Sequence, residues 1–368
     1  MLRRSCIEII SIFLAILAFA NAWGKKKVEP EPEAAETGFK FPCWTACMTE
    51  CFTNNIWIVM SIPTILWLSV YTLSNLYMLI GGPVDVKKKY NAKWALVTGA
   101  ATGIGKSIVE KMASLGLNVV LVSLPEKVFD ETTAEFKKRY PELEFRQVTA
   151  KFDHKTDYMP NIIKATKDID VQIIFNNAGY IVTGFFDKTT LDSQLANLEC
   201  NATACVKVTH HFLQQLLQKK MKGCFLYTSS VSGYIPNPFA VMYGATKGFV
   251  SQFAASLAVE VRAKGIDVIA CHPSPVASNF FDNAHKLGAL EMAKQTAVPP
   301  SAVPDLMLTS VGRAHYCDMG SMAWGVRLGI APVPYDFIAG LFSFFSDQLG
   351  DYTVNDNNRG VPEKHIKK

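Results

Sequence analysis

Two textures divide the chain. From Phe52 to Val84 there is no charged residue, and the run from Ile56 to Ile80 is largely apolar. Such a run exceeds the roughly 20 residues that cross a bilayer. Trp57, Trp67, Tyr71 and Tyr77 within it suit interfacial anchoring. The pattern predicts a transmembrane helix in 52–84, kinked at Pro63. From Lys93 the texture changes. Strand-like runs at Trp94–Thr98, Asn118–Ser123, Glu144–Thr149, Val171–Phe175, Cys224–Thr228 and Ile266–Cys271 alternate with helix-like runs. The helices are expected at Ile104–Leu115, Phe129–Tyr140, Tyr158–Lys167, Leu191–Lys219, Met242–Lys264 and Asp305–Val311. Apolar strands alternating with amphipathic helices predict an α/β fold, a Rossmann-like doubly wound parallel sheet covered on both faces.

Outside this body the pattern is different. Residues 1–24 carry Arg3-Arg4 and then an apolar run broken by Glu8, so they read as a signal anchor or first transmembrane segment. Ala20-Asn21-Ala22 resembles a signal-peptidase site, which leaves a cleaved signal as the alternative. Residues 25–51 read as a linker, charged and Pro-rich at first, with Cys43, Cys47 and Cys51 spaced to share a helix face. Acylation, pairing and a plain apolar face all fit those cysteines. Residues 331–368 hold an apolar segment, Tyr335–Phe345, too short to span, and a polar tail. A partner surface, a membrane-skimming helix and a core segment are open readings of the apolar part.

Composition narrows the function. The 368 residues carry 19% charged side chains and a net charge of +5, with no Lys/Arg stripe, which argues against nucleic acid. The nine cysteines form no Cys-x-x-Cys and no His/Cys/Asp/Glu cluster has zinc spacing, so no metal is expected. Lys87-Lys88-Lys89 directly after the apolar run places the body of the chain in the cytosol by the positive-inside rule. If the first segment also spans, the two form a hairpin, in whose far loop Lys25–Lys27 are offset by Glu residues; a cleaved signal plus one span would put the body on the opposite side. Asn201-Ala-Thr is a glycosylation sequon. A functional Asn201 would be incompatible with a glycan and would favour the cytosol.

Candidate chemistry lies in two stretches. Thr98-Gly99-Ala-Ala-Thr102-Gly103-Ile104-Gly105 sits where the first strand turns into the first helix. Glycines there let the backbone approach a pyrophosphate at a helix N-terminus. Farther on, Tyr243 and Lys247 stand four apart, which stacks them on one helix face. The ammonium is expected to lower the phenol's pKa toward neutral, making it a general acid/base. Ser230, after a strand, could hold the same substrate oxygen.

These motifs, with Asn176-Asn177-Ala178-Gly179 after the fourth strand, resemble the short-chain dehydrogenase/reductase family over residues 92 to 325. More narrowly, Tyr90-x-x-Lys-Trp-Ala-Leu-Val-Thr-Gly and the run Ser229 to Pro238 are similar to the membrane-bound branch of 17-beta-hydroxysteroid dehydrogenases and very-long-chain 3-oxoacyl-CoA reductases. The resemblance implies a dehydrogenase/reductase domain over 90–330. It implies that Thr98, Gly99, Thr102, Gly103, Ile104, Gly105, Asn176, Ala178, Gly179, Pro273 and Val276 bind the cofactor together with Tyr243 and Lys247. Asn201, Ser230, Tyr243 and Lys247 are the implied catalytic set, with Asn201 anchoring a water that passes protons toward Lys247.

The chain departs from the pattern at Ser123-Leu124, where neither the acid that suits NAD nor the Arg that suits NADP stands. The missing acid and the nearby Lys106 favour NADP(H) over NAD(H). Ser274 replaces the usual glycine after Pro273, which puts nicotinamide contacts in question. The expectation is a membrane-anchored oxidoreductase of the endoplasmic reticulum, facing the cytosol and reducing a keto group on a lipid-like substrate. A 3-oxoacyl-CoA is favoured, with a hydroxysteroid or retinol as alternative, a non-catalytic nucleotide-binding scaffold as a further one, and a homodimer as a plausible assembly.

Overall fold

The computed structural model describes residues 43–281, 288, 291, 294–348 and 351–352, with side chains from residue 61 onward. The expected first segment and the charged part of the linker fall outside these residues, as do the side chains of Cys43, Cys47 and Cys51. The chain divides into two compact units at Leu79 and Ile80.

Helix α1, Cys43–Gly81, begins upstream of the charge-free run and continues through Pro63. Its stretch Ser61–Gly81 has a mean hydropathy of 1.3 and is only 11% buried. Ile62, Ile65, Leu66, Val70 and Leu73 are exposed along it. This is the one helix among the described residues long and apolar enough to cross a membrane.

The second unit opens with α2, Val86–Tyr90, capped by the Asp85 carboxylate, which accepts from the Lys88 amide at 3.0 Å. The elements that follow are β1 Trp94–Thr98, α3 Gly103–Ser114, β2 Asn118–Ser123, α4 Lys127–Arg139, β3 Phe145–Thr149, α5 Met159–Thr166 and β4 Val171–Asn176. After β4 come α6 Leu191–Leu198, α7 Ala204–Gln218, β5 Gly223–Thr228, α8 Val241–Val261, β6 Ile266–Pro273, α9 Ala302–Ser310, β7 Tyr316–Met319, α10 Ser321–Ile330 and α11 Tyr335–Phe344. The seven strands form one sheet in the order β3-β2-β1-β4-β5-β6-β7, parallel throughout.

Alternation along each strand feeds two cores. In β1, Ala95 and Val97 join the layer containing Ile108 and Met112 of α3 and Met307 and Leu308 of α9. Trp94 and Leu96 join the layer containing Phe212 and Leu216 of α7 and Val250, Ala254 and Val261 of α8. A strand buried on both faces has no polar side, which is why β1, β4 and β5 are mostly apolar; the buried Gln172 of β4 donates to the Tyr90 and Lys222 carbonyls.

The long helix expected over Leu191–Lys219 is interrupted by a π-turn at Glu199–Thr203, with Asn201 at its centre. Such insertions mark functional sites more often than chance. Strand β7 and helix α10 are additions to the predicted order; β7 is four residues long and carries Asp318. Helix α11 buries Ile338 but exposes Tyr335, Phe337, Leu341 and Phe344, so it is not a core segment.

Candidate active site

The turn between β1 and α3 is built by glycine. Gly99 and Gly103 adopt φ of 66° and 54°, in the region glycine favours. A Cβ on Gly105 would lie 1.9 Å from the Gly99 carbonyl oxygen, so only glycine lets the helix start this close to the strand. Thr102 caps α3 without a side-chain hydrogen bond. Gly99, Thr102, Gly103 and Ile104 line a large cavity at that helix end, whereas Gly105 is packed behind them. Unpaired helix-start amides and close backbone approach fit a dinucleotide phosphate.

Thr98 serves the turn from beneath. It is buried, donates to the Phe175 carbonyl at 3.2 Å, and accepts from the Asn177 and Ala178 amides at 2.9 and 3.0 Å. It does not line the large cavity, and neither does Asn176, whose amide donates to Thr209 at 3.2 Å inside the α7 layer. The pleat explains this: successive side chains at the end of β4 point to opposite sides. Asn177, passed over in the sequence, takes the cavity position with Ala178 and Gly179.

Asn201 is 3% exposed, and its side chain bonds the backbone of Tyr180 on both sides. Its Oδ1 accepts from the Tyr180 amide at 3.0 Å and its Nδ2 donates to the Tyr180 carbonyl at 2.9 Å. It lines a small inner cavity of about 10 Å³ with Asn176, Cys200 and Thr228, the scale of a single water. The Asn176 Oδ1 is buried without a partner.

Ser230 leaves the end of β5, and Tyr243 and Lys247 lie on the first turns of α8. All three line the large cavity and are 8%, 8% and 3% exposed. Lys247 Nζ donates to the Thr228 carbonyl at 2.7 Å and stands 5.5 Å from the centroid of the Tyr243 ring. The expected lowering of the phenol's pKa is not what the fold gives. Burial pushes Tyr243 up to about 12, only partly offset by the Ser230 hydroxyl. Burial also pushes Lys247 down to about 8, with Cys200 and Cys205 partly opposing it. Desolvation disfavours whichever form is charged, so both shifts have one cause. Near pH 7 the phenol therefore holds its proton while the amine stays largely cationic.

The cavity has a volume of about 1340 Å³. That exceeds the 300–1,000 Å³ or so of a pocket for one small molecule. On the side of β1, β2 and β3 it is lined by the glycine turn, Ser123, Leu124, Glu126 and Lys151, and from the end of β6 by Pro273 and Val276. Ile235, Phe239, Phe280, Met322 and Phe342 give its wall an apolar part, with the Phe280 ring 5.8 Å from that of Tyr243. Lys106, expected near the cofactor, is instead paired with Glu135 at 2.7 Å and does not line the cavity. Lys151 does line it, paired with Asp153 at 3.1 Å. Ser274 accepts from the Ala323 amide at 3.0 Å, so the residue that replaces glycine secures the first turn of α10.

The family profile described as short chain dehydrogenase matches residues 93–287. A Danio rerio protein named very-long-chain 3-oxoacyl-CoA reductase-B is 31% identical over 226 residues, covering 59% of this chain and 72% of that one. A human protein named inactive hydroxysteroid dehydrogenase-like protein 1 is 31% identical over 214 residues, covering 57% of this chain and 64% of that one. Among solved structures, a 7beta-hydroxysteroid dehydrogenase superposes with a TM-score of 0.63 at 23% identity, over 71% of this chain and 100% of that chain. A short-chain dehydrogenase from Sphingobium yanoikuyae in complex with NADPH superposes with a TM-score of 0.56 at 22% identity, over 69% and 94%. With its parallel sheet, its glycine turn and a profile match across more than half its length, the chain belongs to the short chain dehydrogenase family of oxidoreductases.

Proposed function

We propose that the protein is a membrane-anchored, NADP(H)-dependent reductase of a keto group on a long lipid-like substrate, with a 3-oxoacyl-CoA favoured. The observation that carries this reading is the continuity of one cavity. The glycine turn, the Tyr243 hydroxyl region and an apolar extension share it, which suits a dinucleotide and an acyl chain meeting at Tyr243.

Gly99, Thr102, Gly103 and Ile104 would hold the phosphates, with Asn177, Ala178, Gly179, Pro273 and Val276 along the remainder. Bound there, a reduced nicotinamide supplies the hydride. Ser230 donates a hydrogen bond to the substrate carbonyl oxygen. Tyr243, protonated at neutral pH, gives its proton to that oxygen as negative charge builds on it, leaving the alcohol. The Lys247 cation stabilises the resulting phenolate. Asn201, held on Tyr180 beside the one-water cavity, suits a role in returning the proton. NADP(H) is supported by Lys151, which lines the cavity with Ser123 and Leu124 and would have to leave its partner Asp153, 3.1 Å away, to meet a 2′-phosphate; Asp153 and Glu126 line the same cavity and oppose it.

Membrane anchoring is supported by the exposed apolar face of α1, and a domain on the cytosolic side by Lys87–Lys89. The burial of Asn201 agrees with this side, since a glycan could not be accommodated there. The test is NADPH-dependent turnover by the detergent-solubilised chain over a 3-oxoacyl-CoA length series, beside steroid ketones. Failure to quench NADPH fluorescence, or binding without turnover on any ketone, rejects the reading. The second outcome would favour a nucleotide-binding scaffold, the reading to which the relative named as inactive points.

A further inference from the structure

Four buried polar residues, of which only Ser229 reaches the cavity wall, form a chain that the reaction does not use. Ser229, Ser251, His272 and Asp318 are 2%, 5%, 0% and 4% exposed. Ser229 Oγ lies 2.8 Å from the Lys247 carbonyl oxygen and 2.8 Å from Ser251 Oγ. Ser251 Oγ lies 2.9 Å from the same carbonyl and 2.8 Å from His272 Nε2. His272 Nδ1 faces Asp318 Oδ1 at 3.4 Å. Tyr234 donates to that carboxylate at 3.2 Å, and the Arg327 guanidinium lies 4.5 Å from the Tyr234 ring centroid with its Nε 3.9 Å from Asp318 Oδ2. Tyr316 packs edge-on against His272 at 5.0 Å and donates to the Ser251 carbonyl at 2.9 Å.

In space Asp318, His272 and Ser251 follow one another as in a hydrolytic triad. None of Ser251, His272 and Asp318 lines the cavity, so no substrate reaches the serine and that use fails. Their geometry serves the neighbouring residues instead. Ser229 precedes Ser230, and Ser251 stands one helical turn after Lys247. His272 Nδ1 makes no formed hydrogen bond, and the Asp318 carboxylate 3.4 Å away favours a proton on it by charge. The Ser251 hydroxyl then donates to Nε2, leaving the Ser229 hydroxyl for the Lys247 carbonyl. Helix α8 is thereby held at two points on successive turns, by Ser229 from β5 and by His272 from β6, with β7 behind.

We propose that Ser251, His272 and Asp318 are positioning residues that fix the first turns of α8, and with them Tyr243 and Lys247, against Ser230. This rests on the reductase reading above. It assigns a role in the reaction to β7, which lies beyond the residues the family profile matches.

The experiment compares kcat and KM for NADPH-dependent ketone reduction, with thermal unfolding of each variant, in the full detergent-solubilised chain. Small displacements of reacting groups cost rate rather than binding, so Ser251→Ala and His272→Leu should each lower kcat about tenfold with little change in either KM. His272→Gln keeps an acceptor near Nε2 and should recover most of the loss. His272→Asn can face Asp318 but cannot reach Ser251, and should behave like His272→Leu. If His272→Leu does not fold, Ser251→Ala decides. Folded variants with wild-type kcat, a loss confined to KM, or equal activity of His272→Gln and His272→Asn would overturn the proposal. A wild-type chain that turns over no ketone would instead reject the reductase reading.

Discussion

The Lys247 ammonium donates to the carbonyl oxygen of Thr228 across 2.7 Å, joining α8 to the end of the strand that presents Ser230. The amine is thus held between the phenol ring and a backbone acceptor, inside the protein. Burial sets the protonation states of the pair more strongly than their proximity does.

Tyr243→Phe removes the proton donor and leaves the ring in place. Ketone reduction should fall by about 10²-fold or more, as loss of a general acid does. NADPH affinity, read by fluorescence quenching, should stay near wild type. Near-normal turnover in this variant would remove Tyr243 from the chemistry.

The reaction should also lose rate as the pH rises through about 8, where Lys247 gives up its charge. Tyr243, at about 12, remains protonated throughout that range. A rate that is flat between pH 7 and about 10 would contradict the assignment of Lys247.

The same burial has a consequence for stability. Below pH 8 Lys247 is charged in both folded and unfolded chains, and the full desolvation cost, on the order of 3 kcal/mol, falls on the folded one. Between about 8 and the ordinary lysine value the folded chain loses its proton first, so the cost shrinks as pH rises. Lys247→Met removes that cost but leaves the Thr228 carbonyl unpaired, which costs about 1–3 kcal/mol. The variant should be inactive yet melt no lower than wild type at pH 7. A clear drop in Tm would show the ammonium to be stabilising.

The last two glycines of the turn should fail differently. Gly105→Ala puts a Cβ against backbone at 1.9 Å and should cost stability, about 1–3 kcal/mol or more. Gly103→Ala meets only the Ser278 side chain, at 3.2 Å, in a strained φ, and it faces the cavity. Its main effect should be on dinucleotide affinity, with a smaller loss of Tm. Calorimetry and NADPH titration on both variants separate the two.

Nucleotide preference should respond to Lys151 and not to Lys106. Lys151→Ala should narrow the NADPH-to-NADH affinity ratio about tenfold, the scale of one charge-assisted contact. Lys106→Ala breaks a pair with Glu135 away from the cavity and should leave the ratio unchanged. The reverse result would move the 2′-phosphate to the α3 side.

Much of this protein is written locally. The alternation of apolar runs with amphipathic helices determined the sheet, because parallel strands buried on both faces must be apolar along their length. The glycine spacing and the four-residue step from Tyr243 to Lys247 determined the turn and the paired side chains, because both are properties of a few consecutive residues. What depends on neighbours distant in sequence was decided only by the tertiary structure. Asn177 rather than Asn176 faces the cavity because pleat direction is set by the sheet. Lys106 is taken by Glu135 of another helix and stays off the cavity wall, whereas Lys151 lines it. The Tyr243 and Lys247 protonation states follow from burial, which no stretch of sequence displays. Strand β7 is too short to carry a pattern of its own, and it forms because β6 offers it an edge to pair with.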